Sequence, residues 1–301
     1  MLPQGFRDRY CPVVDDAAAF GESLGRPLPR SFRVNTLKSS PPEVMEGFSG
    51  YGIEIKQMPW YGDAFVSENP DVGSTLEHFS GEIYMQELVS MLPPLLVREE
   101  LSRARLVLDG CAAPGSKTTQ LSALMGNRGT VVANDIDYSR IRALKFNLEK
   151  VGALNVVITN QDLRMFPNSQ FDVIILDAPC SAEGTIRKSP DLLRFWSDKG
   201  YPGHSRLQGQ LLRRAFDLLA PGGVLVYSTC TFAPEENEFV IEKLLQDTDA
   251  SLEEVGMDGF RLSPALPAWH GAEFSPEVRK CARVWPHHND TGGFFLAKVR
   301  K

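Results

Sequence analysis

The chain has 301 residues and no Cys-x-x-Cys pair, and its five cysteines (Cys11, Cys111, Cys180, Cys230 and Cys281) are odd in number. Both facts argue against a zinc site and a disulfide framework. Free thiols in a reducing cytoplasm are the expectation. Nor is there an apolar run long enough to span a bilayer, and the start Met1-Leu-Pro-Gln-Gly-Phe-Arg-Asp8 lacks the apolar stretch of a signal peptide. A soluble, cytoplasmic protein with no membrane partner is therefore expected. Cationic excess is missing too: 32 Lys and Arg stand against 38 Asp and Glu, a net charge of −6. This balance counts against a protein that coats nucleic acid and requires any RNA site to be a local patch. Internal repeats and low-complexity tracts are also absent. His287 and His288 have no carboxylate or cysteine at metal-ligand spacing, so they read as turn histidines and no metal is expected.

What is present is a set of short buried strands. Phe171-Asp-Val-Ile-Ile-Leu-Asp177 is apolar without alternation and stops at Asp177-Ala-Pro-Cys180. Such a run is covered on both faces, as in a parallel sheet with helices on either side. Gly223-Val-Leu-Val-Tyr-Ser-Thr-Cys230 repeats the design, again with a cysteine at its end. Ligands of open α/β sheets bind beyond the carboxyl ends of the strands, so two thiols would face one crevice. Earlier, Leu106-Val-Leu-Asp109 leads through Gly110-Cys-Ala-Ala-Pro-Gly-Ser-Lys117 into a helix reaching about Met125. That turn is neither G-x-G-x-x-G nor G-x-x-x-x-G-K-[ST], because Cys111 stands where the first glycine of the latter would fall. Dinucleotide binding and phosphate cradling are both disfavoured.

The strand Gly129–Asp135 ends in an acid placed to accept from ribose hydroxyls, while Asp137 fits the cap of the following helix better. After the strand Asn155–Thr159, Asp162 is placed to accept from an adenine amino group. Adenosine recognition without a phosphate requirement points to S-adenosylmethionine.

Elsewhere the spacing of Tyr84, Leu88, Met91 and Leu92 predicts a helix over Gly81–Pro94. Pro234-Glu-Glu-Asn-Glu238 opens another, with acids favoured by its dipole. Residues 247–280 are loop-rich, and Cys281–Val299 reads as two strands joined by a turn. Between Arg26 and Lys38 four cations surround an extended segment; a phosphate-contacting surface and a solvated strand edge fit it equally. Ser181–Trp196 is polar, cationic and aromatic: either an RNA-holding loop, with Arg187, Lys188 and Arg194 on phosphates, or a lid.

With the segments Leu108–Thr119, Asp177–Gly184 and Tyr227–Glu238 in hand, the sequence resembles the NOL1/NOP2/Sun family of RNA cytosine-C5 methyltransferases. The likeness runs from Phe32–Lys38 to Gly293–Lys298. Within the family, Arg30–Asn35, Gly73–His78 and Ile186–Asp191 look most like the subfamily acting on small-subunit ribosomal RNA. That subfamily's bacterial members carry a further RNA-binding portion beyond the point matching Lys301, and short members include transfer RNA enzymes. Ribosomal RNA is therefore the favoured partner and tRNA the other.

The resemblance implies an α/β fold: a class I (Rossmann-like) S-adenosylmethionine-dependent methyltransferase sheet at 81–301, with a small N-terminal α+β RNA-binding domain at 1–80; a monomer is expected. It implies cofactor contacts from Cys111, Ala112, Ala113, Pro114, Gly115, Ser116 and Lys117, and from Asp135, Arg140, Asp162 and Asp177. It makes Cys230 the nucleophile and Cys180 the group that assists product release, with Lys117 and Asp177 near the target base.

The chemistry suits these residue types. Cytosine C5 is too electron-poor to take a methyl group until a thiolate adds at C6 and makes it enamine-like. A free cysteine has a pKa near ~8.5, so Cys230 needs a polarising neighbour, for which Lys117 is the candidate. Asp177 would meet the N3 and N4 edge. The competing readings are an amino-group methyltransferase, which would want Asp/Asn-Pro-Pro-aromatic at 177–180, and a non-catalytic RNA-binding module indifferent to the cofactor.

Overall fold

The computed structural model describes residues 2–301. Four antiparallel strands form the first sheet: β1 (Arg30–Val34), β2 (Lys56–Met58), β3 (Tyr61–Ser67) and β4 (Ile83–Met85), in the order β2-β3-β1-β4. The helix Pro41–Gly50 opens on a capping box of Ser40 and Glu43 and lays Val44 and Phe48 on this sheet. There Phe32 stacks between Phe48 and Phe65 at centroid distances of 5.3 and 5.5 Å. The sheet's fourth strand lies past the division expected at residue 80.

That strand also replaces the helix expected over Gly81–Pro94. Ile83–Met85 pair with Phe32–Val34, Glu87 caps a 3-10 turn at Leu88–Met91, and a short helix follows at Leu92–Leu95. The apolar set was legible but its geometry was not. Tyr84, Leu88, Met91 and Leu92 are all buried, yet an open sheet edge beside β1 draws the first of them into extended backbone.

The second sheet has nine strands: β5 (Leu106–Asp109), β6 (Thr130–Asn134), β7 (Val156–Thr159), β8 (Phe171–Asp177), β9 (Leu219–Thr229), β10 (Ser251–Glu253), β11 (Ser263–Pro264), and two more completing it beyond the small hairpin β12 (Ala268–Trp269) and β13 (Ala272–Glu273). These last are β14 (Ala282–Val284) and β15 (Phe294–Arg300). The order is β11-β14-β15-β9-β8-β5-β6-β7, with β10 also paired to β15. Pairs from β7 through β9 are parallel, and those involving β15 are antiparallel. As the unalternating run required, β8 is covered on both faces: Val173 and Ile175 join one core, Ile174 and Leu176 the other. Because the five strands from β7 through β9 are parallel, their carboxyl ends share one rim. Asp109, Asp177 and Cys230 come to that rim from three adjacent strands. Among the described residues no helix is long and apolar enough to cross a membrane.

Two local expectations change. The acids at 234–238 are divided between two elements: Pro234–Glu236 is a 3-10 turn and the helix Glu238–Asp247 begins after it, while Glu236 and Glu238 are fully buried and Glu238 pairs with the buried Arg283. His287 and His288 sit in the helical turn Pro286–Asn289, but both ring Nε2 atoms reach Asp15, at 2.8 and 2.9 Å, across more than 270 residues of sequence. No sequence spacing could have shown that carboxylate.

Candidate active site

The turn after β5 makes the floor of the crevice. Gly115 has φ +109°, a conformation L side chains rarely adopt, and an added Cβ would lie 2.9 Å from Leu144 Cδ1. Glycine thus lets the turn press on the helix Tyr138–Val151. The 111–117 backbone is tied to the second strand end: Ala112 N donates to Asn134 O at 2.8 Å, and Ala113 N donates to Asp135 Oδ2 at 3.0 Å. Arg140 donates to Ala113 O, with its Nη1 3.8 Å from Asp135 Oδ2. Asp137 caps the helix, accepting from Ser139 and Arg140 N–H groups. Asp135 Oδ1 also accepts from Asp137 N at 2.9 Å, so each carboxylate oxygen keeps one further acceptor position for a ligand hydroxyl. Asp162 accepts a fork from the Arg164 side chain and holds its pKa low through it.

Negative charge is concentrated here. Asp109 is buried, with Oδ2 accepting from Thr118 Oγ1 at 2.6 Å and Oδ1 without any partner. Burial first, and then the carboxylates of Asp177 and Asp135, push it up to about 6. The same burial and the same three acids push the Cys111 thiol up. An orphaned buried carboxylate oxygen among acids calls for a cation, and S-adenosylmethionine brings a sulfonium and an ammonium group. Asp109, Asp135 and the 111–117 turn fit it.

Toward the opposite wall stand the thiols. Cys180 Sγ and Cys230 Sγ, both partly exposed, lie 3.3 Å apart. The loop of Cys180 is sewn to the end of β9: Ser181 Oγ meets Thr231 Oγ1 at 2.7 Å, and Gly184 N donates to Cys230 O at 2.8 Å. A Cβ on Gly184 would fall 2.1 Å from Gly293 O, which is why this position takes no side chain. Beneath it the buried Glu183 accepts from Tyr10, Tyr201, Trp196 and Thr231. The Cys180 thiol is raised well above the ordinary value, first by its hydrogen bond to Cys230 and then by burial.

Lys117 is placed differently from the expectation. Its Nζ donates to Asp177 Oδ2 at 2.6 Å and Ser90 Oγ at 3.3 Å, and it does not bond Cys230. Ser228 Oγ donates to Asp177 Oδ1 at 2.8 Å, so Asp177 is fixed at both oxygens. The neighbour within hydrogen-bonding reach of Cys230 is Cys180. Ser90 and Glu183 carried no signal in the sequence, since serines and isolated acids are common; Ser228, two residues before a strand-end thiol, could have been found.

Several expected phosphate contacts are internal. Arg33 is buried and bonds Gln86 and Thr119. Lys38 donates to the carbonyls of Ser80 and Lys150. Arg187 is buried and bonds Arg26 O, Pro27 O, Thr291 O and Asp290. Arg26, Arg30, Lys188 and Arg194 remain exposed, and Arg30 and Lys188 line a groove of about 830 Å³ between the first sheet and the loop residues Arg187, Lys188 and Asp290.

A parallel sheet with a small-residue turn, an acid-lined cofactor floor and strand-end thiols defines a class I methyltransferase that uses S-adenosylmethionine. Residues 97–300 match the family described as 16S rRNA methyltransferase RsmB/F, and residues 2–88 match the N-terminal domain of 16S rRNA methyltransferase RsmF. The chain belongs to this RsmB/F (NOL1/NOP2/Sun) family of RNA cytosine-5 methyltransferases. It is 42% identical to the tRNA (cytosine(49)-C(5))-methyltransferase of Pyrococcus abyssi over 98% of this chain and 94% of that one. Similarity to ribosomal RNA small subunit methyltransferase F of Aeromonas salmonicida is 41% identity over the whole chain but only 64% of the relative's length. A solved methyltransferase homolog from Pyrococcus horikoshii superposes with a TM-score of 0.88 at 38% identity, covering 99% of this chain and 95% of that one.

Proposed function

We propose that the protein methylates C5 of a cytidine in structured RNA, ribosomal or transfer, through a temporary bond between Cys230 Sγ and C6. The observation carrying this reading is the 3.3 Å approach of two thiols at adjacent strand ends. Addition of the Cys230 thiolate to C6 makes C5 nucleophilic, and the bound cofactor supplies the methyl group. Asp177, held by Lys117 and Ser228, accepts from the N4 amino group and favours a proton at N3 of the adduct. Uracil offers no such amino group.

Release then requires loss of the C5 proton. Once Cys230 is bonded to carbon, the hydrogen bond to its thiol that raised Cys180 is gone. Cys180 gives its proton to solvent, which accounts for the one proton each methylation liberates. As a thiolate it takes the C5 proton, the C6–S bond breaks, and the resting pair is restored. Opening of a stacked base costs a few kcal/mol and least in a loop, so a loop or bulge is the expected site.

The test is incubation with small-subunit rRNA and with tRNA in separate arms, using methyl-labelled S-adenosylmethionine and nucleoside analysis. Label in 5-methylcytidine is expected from wild type and none from Cys230→Ala, while Cys180→Ala accumulates a covalent protein–RNA species. Label in an exocyclic amine, or undiminished label from Cys230→Ala, would sink the reading.

A further inference from the structure

Glu236 is a buried carboxyl that the chemistry above does not use. Its Oε2 accepts from Ser181 N at 3.0 Å and from Gln208 Nε2 at 2.8 Å. The same Gln208 nitrogen donates to Pro179 O at 2.9 Å. One carboxyl and one amide therefore grip the residues on both sides of Cys180. From the strand side, Tyr227 O–H donates to the Glu236 carbonyl at 2.7 Å, so the grip is referred back to the core of β9.

Two buried atoms are left over: Glu236 Oε1 and Gln208 Oε1, both acceptors without partners. Leaving both unpaired would cost about 1–3 kcal/mol each. A single proton on Glu236 Oε1 would resolve both, its O–H donating to Gln208 Oε1 while Gln208 Nε2 donates to Glu236 Oε2. Carboxylic acids and primary amides pair in this cyclic way. Burial works in the same direction, raising the Glu236 pKa against the opposing effects of Ser181, Gln208 and His204.

We propose that Glu236 is a positioning residue that holds its proton in a cyclic acid–amide pair with Gln208 and so fixes Cys180 beside Cys230 for release of the methylated base. Kept neutral, the brace adds no negative charge beside a site that must generate a thiolate twice in each cycle. The proposal rests on the release role assigned to Cys180.

The experiment compares wild type with Cys180→Ala, Glu236→Gln and Glu236→Ala, following covalent protein–RNA adduct and free methylated RNA over time. In Glu236→Gln the new amide offers an N–H to Gln208 Oε1 and a carbonyl to Ser181 and Gln208 N–H groups. It should release product within about threefold of wild type. Glu236→Ala should form adduct at a near-normal rate but release it more slowly by about tenfold or more. Adduct persisting in Glu236→Gln as it does in Glu236→Ala, or formation and release slowing together in Glu236→Ala, overturns the proposal. Should Glu236→Ala fail to fold, the infrared spectrum decides: wild type at neutral pH must show a protonated carboxyl C=O band that Glu236→Gln lacks, and its absence overturns the proposal. If Cys180→Ala itself accumulates no adduct, the release reading falls instead.

Discussion

The two ends of the crevice are built on opposite plans. At the cofactor end, Asp109 has an unpartnered buried oxygen, and its neighbours Asp135 and Asp177 add to the cost of its charge. At the thiol end four donors converge on Glu183, Ser181 and Thr231 bind the two thiol segments to each other, and the two acceptors left over, Glu236 Oε1 and Gln208 Oε1, are satisfied together by the single proton proposed for Glu236. An end that is electrostatically incomplete awaits a cationic ligand. An end whose polar groups satisfy one another holds the two thiols in place before substrate arrives, which is what the proposed two-step covalent reaction requires.

The largest effect belongs to the thiol end. Cys230→Ala should lower methyl transfer by about 10⁴-fold or more, equivalent to over ~5 kcal/mol, as measured by label incorporation under single-turnover conditions. Residual transfer within tenfold of wild type would mean that the preorganised thiol pair is not the reacting one. Next comes its support. Glu183→Ala leaves the donors of Tyr10, Tyr201, Trp196 and Thr231 without their buried acceptor, and should cost about 3–5 kcal/mol in urea unfolding. A change below ~1 kcal/mol would show that this end is less tightly determined than its hydrogen bonds indicate.

Asp109→Asn probes the incomplete end and should act in the opposite sense. The carboxyl is raised to about 6 from 3.8, so the folded chain binds this proton more tightly than the unfolded one. Its contribution is therefore most favourable below about pH 4 and is lost as pH rises through about 6. Asn removes the penalty of ionisation, and the ligand-free protein should gain about 2–3 kcal/mol at pH 7.5 and nothing near pH 4. Thermal unfolding at the two pH values measures this, and S-adenosylmethionine affinity should fall in the same variant. Stabilisation equal at both pH values would break the contrast between the two ends. The smallest effect lies outside the crevice. Arg30→Ala and Lys188→Ala should each weaken RNA binding by about 1 kcal/mol and reduce the salt dependence by about one phosphate contact, with turnover at saturating RNA unchanged.

Much of the central sheet was legible because a strand covered on both faces must be apolar at every position, as Val173 to Leu176 are. Strand ends were legible for the same reason, since the run stops where Asp177 appears. The cations were not. Arg30 and Arg33 are three residues apart on one strand, but only Arg30 faces solvent; Arg33 turns inward to Gln86 and Thr119, which other segments supply. Arg187 and Lys188 divide in the same way. Lys117 was expected to polarise Cys230, but its partner was decided by Asp177 arriving on the neighbouring strand at 2.6 Å.

Composition and pattern determined what could be determined locally: which segments are buried strands, where each ends, that two of them end in thiols, and that no phosphate-binding turn is present. Tertiary structure alone decided which charges meet. The 3.3 Å between the sulfurs, the brace of Gln208 and Glu236, and the meeting of Asp15 with two histidines join residues that are 50, 28 and more than 270 positions apart. Backbone periodicity is written in near neighbours, whereas the energy of a buried polar group depends on what distant chain is folded against it.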